Sequence, residues 1–337
     1  MKKLVMLAIA FAMFGTWVAQ AAAETTLRFN QWIPTKHFAV TKGHVPWAEK
    51  VAKVTDGRVK IQFTTKSLGA PPRQFDLAVT GVADVVWGVT GYTAGRFVSA
   101  EISELPFSGK SGEALSVALW RTHQKFFAKA NEYKGVKLLS LHNHSPGQIS
   151  TNNKAITKLE DLKNVKIRVP NFVTSEILKY YKGVPFRGPA PKSYEFYSKG
   201  IIDGSFMTND GILSFKLAKF AKYFIEVPNG LYNSTFFVAM NQAKWDAISS
   251  VDKKAIEGVS GESFARVIGG AWDAVDQKGR ELVRSGGTKV TTIQGAELAK
   301  LKSNLSFIKN NWLKKVAAKG IDGAGALKYL RAQAAAY

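Results

Sequence analysis

Strand-like and helix-like spacings of apolar residues take turns along most of this chain. Val59, Ile61 and Phe63 alternate with Lys60 and Gln62, which predicts a half-buried strand. Leu27-Arg-Phe29 upstream has the same period. Between the two, a helix opens at Pro46, carries Trp47, Val51 and Val54 on one face, and stops at Asp56-Gly57. This β-α-β order continues with a helix over 73–80, a stop at Gly81 and an apolar strand Val85-Val-Trp87. A helix over 111–131, a strand over 136–141 and a strand Val165-Lys-Ile-Arg-Val169 follow. The polar stretch 145–153, with Pro146-Gly147, marks a crossing between two domains. Beyond Ala247 the spacing is mostly helical. One long helix over 251–283, interrupted at Gly269-Gly270, is long enough to join two domains, and stretches 296–317 and 324–335 add further helices.

The pattern contains an internal echo. Phe75-Asp-Leu-Ala-Val-Thr-Gly-Val-Ala-Asp-Val-Val-Trp87 and Tyr194-Glu-Phe-Tyr-Ser-Lys-Gly-Ile-Ile-Asp-Gly-Ser-Phe206 share a Gly-x-x-Asp core and flanking aromatics at identical offsets. Each reads as a helix that turns at glycine into a strand whose carboxyl end lies where α/β domains bind ligands. Gly204-Ser205 stands in place of Val85-Val86, which suggests room for a ligand against the second strand. A chance resemblance between two common units is the alternative.

The N-terminus sets the compartment. Lys2 and Lys3 precede a short apolar run over 4–14, and Ala19-Gln-Ala21 and Ala21-Ala-Ala23 offer cleavage sites, so 1–23 is predicted to be a signal peptide rather than an uncleaved anchor. No later apolar stretch is long enough to insert, so the expectation is an exported, soluble mature protein in the periplasm. With 47 Lys and Arg against 25 Asp and Glu, the formal charge is +22, which favours anionic ligands. The basic residues are scattered and no nucleic-acid-binding module is present, so no nucleic-acid partner is expected. The absence of cysteine removes disulfides, thiolate metal sites and cysteine nucleophiles together.

Catalytic signatures are weak. His142-Asn-His144 could supply two metal ligands, but no acidic third ligand is near in sequence, and an ordinary loop at a strand end is the simpler reading. No nucleophile elbow, zinc-protease helix or phosphate-binding loop occurs. Arg168 stands out from spacing alone. Val165, Ile167 and Val169 take one face of their strand, leaving Arg168 with Lys166 on the other, near the carboxyl end set by Pro170-Asn171. A guanidinium there can grip a carboxylate with two parallel hydrogen bonds; a surface arginine is the alternative.

Several segments in order, Gly57-Arg-Val-Lys-Ile, Gly81-Val-Ala-Asp84, Glu104-Leu-Pro-Phe107, Leu159-Glu-Asp-Leu-Lys-Asn-Val-Lys-Ile-Arg-Val-Pro-Asn171, 194–204 and Met240-Asn241 before Trp245, resemble the substrate-binding proteins of tripartite ATP-independent periplasmic (TRAP) transporters, typified by C4-dicarboxylate binders. The resemblance implies an α/β, two-domain periplasmic binding protein fold with a ligand cleft between the domains and a long connecting helix. The domains would be 24–146 plus about 234–270, and 147–233 plus about 271–337. It implies a non-enzymatic monomer that hands a small organic acid to TRAP membrane subunits, with no cofactor and no metal. Presentation of the ligand to a periplasmic sensor and a secreted enzyme acting on an anionic substrate are the alternatives; an enzyme would draw on His37, His142 or His144.

Carried over by position, Arg168 resembles the family's carboxylate clamp and Asn171 its polar support, while Trp32, Tyr92, Phe206 and Met207 fall where the cleft is lined. The chain departs from the family pattern at Gln148, where many dicarboxylate and sialic-acid binders carry a second arginine, and at Ser205, Phe206 and Met207, which replace the usual amide and acid. A second buried carboxylate would then lack a charged partner, so a monocarboxylate with an apolar or aromatic body is the favoured ligand.

Overall fold

The alternating segments assemble into two separate sheets in the computed structural model, which describes residues 24–337; the signal-peptide expectation for 1–23 lies outside the described residues. The strands in chain order are β1 (Thr25–Asn30), β2 (Val59–Phe63), β3 (Val85–Val89), β4 (Val136–Asn143), β5 (Gln148–Thr151), β6 (Lys166–Val169), β7 (Val184–Arg187), β8 (Gly204–Met207), β9 (Tyr223–Glu226), β10 (Thr235–Asn241) and β11 (Lys289–Thr292). The first sheet has the order β2-β1-β3-β10-β4 and the second β11-β9-β5-β8-β6-β7. In the first sheet β2 and β3 run parallel to β1, and β10 antiparallel to β3 and β4; in the second, β7 and β8 run parallel to β6, and β5 antiparallel to β8 and β9. The chain leaves the first sheet between β4 and β5, inside the polar stretch 145–153, and returns through β10. Helices cover the sheets, and every residue of β3 and β10 is buried, so these central strands read as apolar runs instead of alternating.

The echoed segments fold alike. Helices Gln74–Val79 and Ser193–Ser198 each end in a left-handed glycine, Gly81 at φ 73° and Gly200 at φ 64°, before β3 and β8. The carboxylate of the shared motif plays one role twice: Asp84 Oδ2 accepts the Arg28 backbone N–H at 2.8 Å, and Asp203 Oδ2 accepts that of Lys166 at 2.9 Å. Each aspartate thereby ties its strand to the neighbouring one. The expected opening at Gly204 is filled by protein, because a Cβ there would lie 2.5 Å from the Ser150 carbonyl oxygen of the adjacent strand. Glycine at 204 serves strand packing.

The connecting helical region breaks at a different place from the one the glycine pair suggests. Helix Ser250–Val259 ends at Ser260, and helix Gly261–Ser285 restarts from Gly261 at φ 54°. Gly269-Gly270 lies inside the second helix, where a Cβ on Gly269 would lie 2.7 Å from Glu113 Cα. The glycine permits helix contact and does not stop the helix. One turn on, Asp273 Oδ1 and Oδ2 accept the Gly112 and Glu113 backbone N–H groups at 2.7 and 2.9 Å, which fastens the long helix to the start of helix Gly112–Thr122. Stretch 296–317 likewise divides into helices Gly295–Asn304 and Ser306–Ala317. The latter bridges both sheets' layers: Trp312 Nε1 donates to Val98 O at 2.9 Å on one side, and Phe307 stacks on Tyr180 at 5.5 Å on the other.

Candidate functional site

The carboxyl ends of β1, β3, β6 and β8 converge on a cavity between the two sheets. The first sheet's side supplies Trp32, Trp87, Val89, Tyr92 and Phe236, the second supplies Arg168, Met207, Thr208 and Asp210, and the long helix adds Trp272. The aromatics form a continuous stack. Trp32 lies 4.8 Å from Trp87 at 13°, Trp87 lies 5.0 Å from Phe236 at 5°, and Phe236 lies 5.2 Å from Trp272 at 24°. The stack is held by polar bonds at its rim: Trp32 Nε1 donates to Trp87 O at 2.6 Å, and Trp87 Nε1 donates to His142 Nε2 at 3.0 Å.

Arg168 is the cation of the cavity, and it is 1% exposed. Its Nε donates to Gly188 O at 2.8 Å, Nη1 to Phe206 O at 3.0 Å and Nη2 to Tyr92 Oη at 3.3 Å. All three acceptors are neutral, and among the described residues no carboxylate lies within ion-pair distance. One N–H on each terminal nitrogen has no protein acceptor, so the guanidinium keeps two donors for an anion. Tyr92 Oη also accepts the Ala190 N–H at 2.8 Å, so this first-sheet hydroxyl meets two donors from the second sheet's side and keeps its own proton to donate.

Of the residues singled out from the sequence, Arg168, Trp32, Tyr92 and Met207 line the cavity. Three others stand behind it. Phe206 and Met207 are successive strand residues and face opposite ways, so Phe206 contributes its carbonyl to Arg168 while its ring packs edge-on against Tyr232 at 5.6 Å. Asn171 caps helix Phe172–Tyr180, accepting the Thr174 N–H at 3.0 Å and donating to Asn233 O at 2.8 Å, and makes no hydrogen bond to Arg168. Gln148 pairs both amide atoms with one backbone unit, donating to Val227 O at 3.1 Å and accepting from Val227 N at 2.8 Å. Its hydrogen-bonding capacity is directed into the protein.

Sequence reasoning passed over Trp87, Phe236, Tyr232, Trp272 and Asp210, which join the site from distant segments. Asp210 left one usable signal: a lone acid four residues after the echoed strand's Phe206, in an otherwise apolar and polar-neutral run. His37 and His144 also line the cavity, and His142 sits behind Trp87. Burial holds His37 and His144 at about 4, and both are neutral near pH 7. Among the described residues no three His, Asp or Glu side chains are placed to hold a metal ion.

The family model of bacterial extracellular solute-binding proteins, family 7 (DctP), matches residues 29–315. The chain belongs to this family. A TRAP periplasmic solute-binding protein from Bordetella bronchiseptica, solved with bound (R)- and (S)-mandelate, shares 33% identity over 92% of this chain and 98% of its own, with a TM-score of 0.89. Its counterpart from Rhodoferax ferrireducens, in complex with copurified benzoate, shares 30% over 92% and 98%, with a TM-score of 0.85. An outer membrane transporter protein, TsaT, of Comamonas testosteroni is 33% identical over 95% of this chain and 94% of its own length. The protein is therefore a TRAP-type solute-binding protein with the two-domain α/β architecture of its relatives, a receptor family that works with membrane subunits. Among the described residues no helix is long and apolar enough to cross a membrane.

Proposed function

We propose that this family 7 protein captures an aromatic monocarboxylate in the periplasm as a monomer, performs no chemistry on it and delivers it to TRAP membrane subunits. The observation that carries this reading is a buried arginine with two unpaired N–H donors and no carboxylate partner, at the wall of a cavity built of Trp32, Trp87, Phe236 and Trp272. A buried guanidinium without a counter-ion is costly, and an anionic ligand removes that cost. A flat ring matches the stacked indoles. Gln148 supports one carboxylate and not two, since its amide is occupied by Val227 and brings no charge. The solved relatives with mandelate and benzoate agree with this ligand class. The site's side chains, with Arg168 as clamp and Trp32, Tyr92 and Met207 as lining, and the domain division given above belong to the same proposal.

Thermal shift and isothermal titration of ligand-stripped protein test it. Benzoate or mandelate at about 100 times its Kd should stabilise the fold by about 2.7 kcal/mol, with succinate and malate inert. Tight binding of a dicarboxylate with every aromatic monoacid silent would overturn the reading, as would recovery of a chemically altered ligand.

A further inference from the structure

The cavity holds more polarity than a carboxylate and a bare ring can use. His37 Nε2, His144 Nε2, Trp272 Nε1 and both Asp210 carboxyl oxygens are buried and have no hydrogen-bond partner, and all four residues line the cavity. They are more than nine-tenths buried. The His37 and His144 rings lie 6.2 and 6.1 Å from the Trp272 ring, and Asp210 is bound through its backbone N–H to Asp276, one helical turn beyond Trp272, at 3.2 Å.

Their donor and acceptor roles follow from the bonds on the other side of each ring. His37 Nδ1 accepts the Ala39 N–H at 3.2 Å, so its Nε2 carries the proton; His144 Nδ1 contacts the Ser145 carbonyl oxygen at 2.6 Å, so its Nε2 is a bare acceptor. Trp272 Nε1 can only donate. Burial first, and then the neighbouring Asp276, push the Asp210 carboxyl well above the usual range, against the smaller opposing pull of the Thr208 hydroxyl and the Gly211 N–H. Asp276 is raised as well, yet it accepts from Asn209 Nδ2 and Asp210 N and lies 4.0 Å from Arg280 Nη2, so Asp210 is the member that keeps a proton. A neutral acid both donates and accepts, and it does not repel an anion.

We propose that Asp210, His37, His144 and Trp272 form a second polar subsite that reads a hydroxyl on the ligand, so that the protein selects hydroxylated aromatic monocarboxylates over their unsubstituted parents. This inference rests on the aromatic-acid reading above and narrows it. A hydroxyl can accept from Trp272 or His37 while donating to His144 or Asp210. An unsubstituted ring that fills the same space leaves these atoms buried and unpaired, and that penalty, more than the gain of one bond, sets the discrimination.

Isothermal titration of the ligand-stripped full protein with matched acids tests the subsite: benzoate against 3- and 4-hydroxybenzoate, and phenylacetate against mandelate. At least one hydroxylated acid should bind about tenfold or more tightly than its parent. Asp210→Leu and His144→Phe should narrow that ratio towards one, and Asp210→Asn, whose amide still donates and accepts, should retain most of it. Parents that bind wild type within about threefold of every hydroxylated partner would overturn the inference while leaving the aromatic-acid reading standing. The same holds if the ratio survives in both apolar variants. Silence from all five acids would overturn both. The wild-type ratio needs no variant to fold.

Discussion

Segments 75–87 and 194–206 make the same turn and put it to different uses. In both, a helix ends on a left-handed glycine and an aspartate three residues later ties the new strand to its neighbour through a backbone N–H. Past that point they diverge. β3 is apolar throughout and delivers the indole of Trp87 to the ring stack, so what it offers the cavity is a side-chain surface. β8 begins with Gly204-Ser205, packs tightly between β5 and β6, and offers the Phe206 carbonyl that orients Arg168. On the proposed reading, one half of the molecule would grip a ring and the other a charge. The first would draw on four stacked aromatic rings, while the second would depend on one planar group held by three neutral acceptors.

That asymmetry predicts unequal damage. Arg168→Ala should produce the largest effect, roughly 2 to 5 kcal/mol or about 30-fold to several-thousand-fold in Kd, mostly in the off-rate. Arg168→Lys keeps the charge but loses the fork and should also weaken binding. Titration of both variants with benzoate checks this, and a Kd within about threefold of wild type for Arg168→Ala would move the clamp to another residue. On the ring side, Trp32→Leu removes one stacking partner and the indole bond to Trp87 O while leaving Trp87, Phe236 and Trp272 in place. The expected loss is about 1 to 2 kcal/mol, about 5- to 30-fold. A loss as large as that of Arg168→Ala would mean that the stack acts as a unit.

Arg168 was legible because strand period and a following Pro170-Asn171 place it at a sheet's carboxyl edge from local sequence alone. Its isolation was not legible: the three acceptors lie 20, 38 and 76 positions away. The alternation of elements and the crossing near 145–153 were legible for the same local reason. Gln148 shows the limit. Its place in the family pattern made it a candidate ligand-binding residue, but its amide closes on the backbone of Val227, 79 positions on, which only the pairing of β5 with β9 brings near. The polar subsite was hidden likewise, since His37, His144, Asp210 and Trp272 come from four segments and no spacing rule links them. Glycine was misleading in both helix and strand: Gly269-Gly270 and Gly204 are small because protein lies against them, and sequence cannot distinguish that from a stop or an opening.

The smallest predicted effect separates the clamp from the general charge. Lys314 is exposed on helix Ser306–Ala317, one of 47 Lys and Arg in a chain with a formal charge of +22. Charges in that position attract an anion at a distance but are screened beyond about 8 to 10 Å at ordinary ionic strength, and they touch nothing in the cavity. Lys314→Ala should therefore leave Kd within about twofold at physiological salt and act, if anywhere, on the association rate at low salt. Stopped-flow association across a salt series, with Arg168→Ala measured alongside, reads the two effects apart: the surface variant changes the salt slope, and the clamp variant changes the dissociation rate at every salt concentration. If Lys314→Ala weakened equilibrium binding as much as Arg168→Ala does, the protein's field and not the guanidinium fork would be holding the ligand, and the division between a ring-gripping and a charge-gripping half would fail.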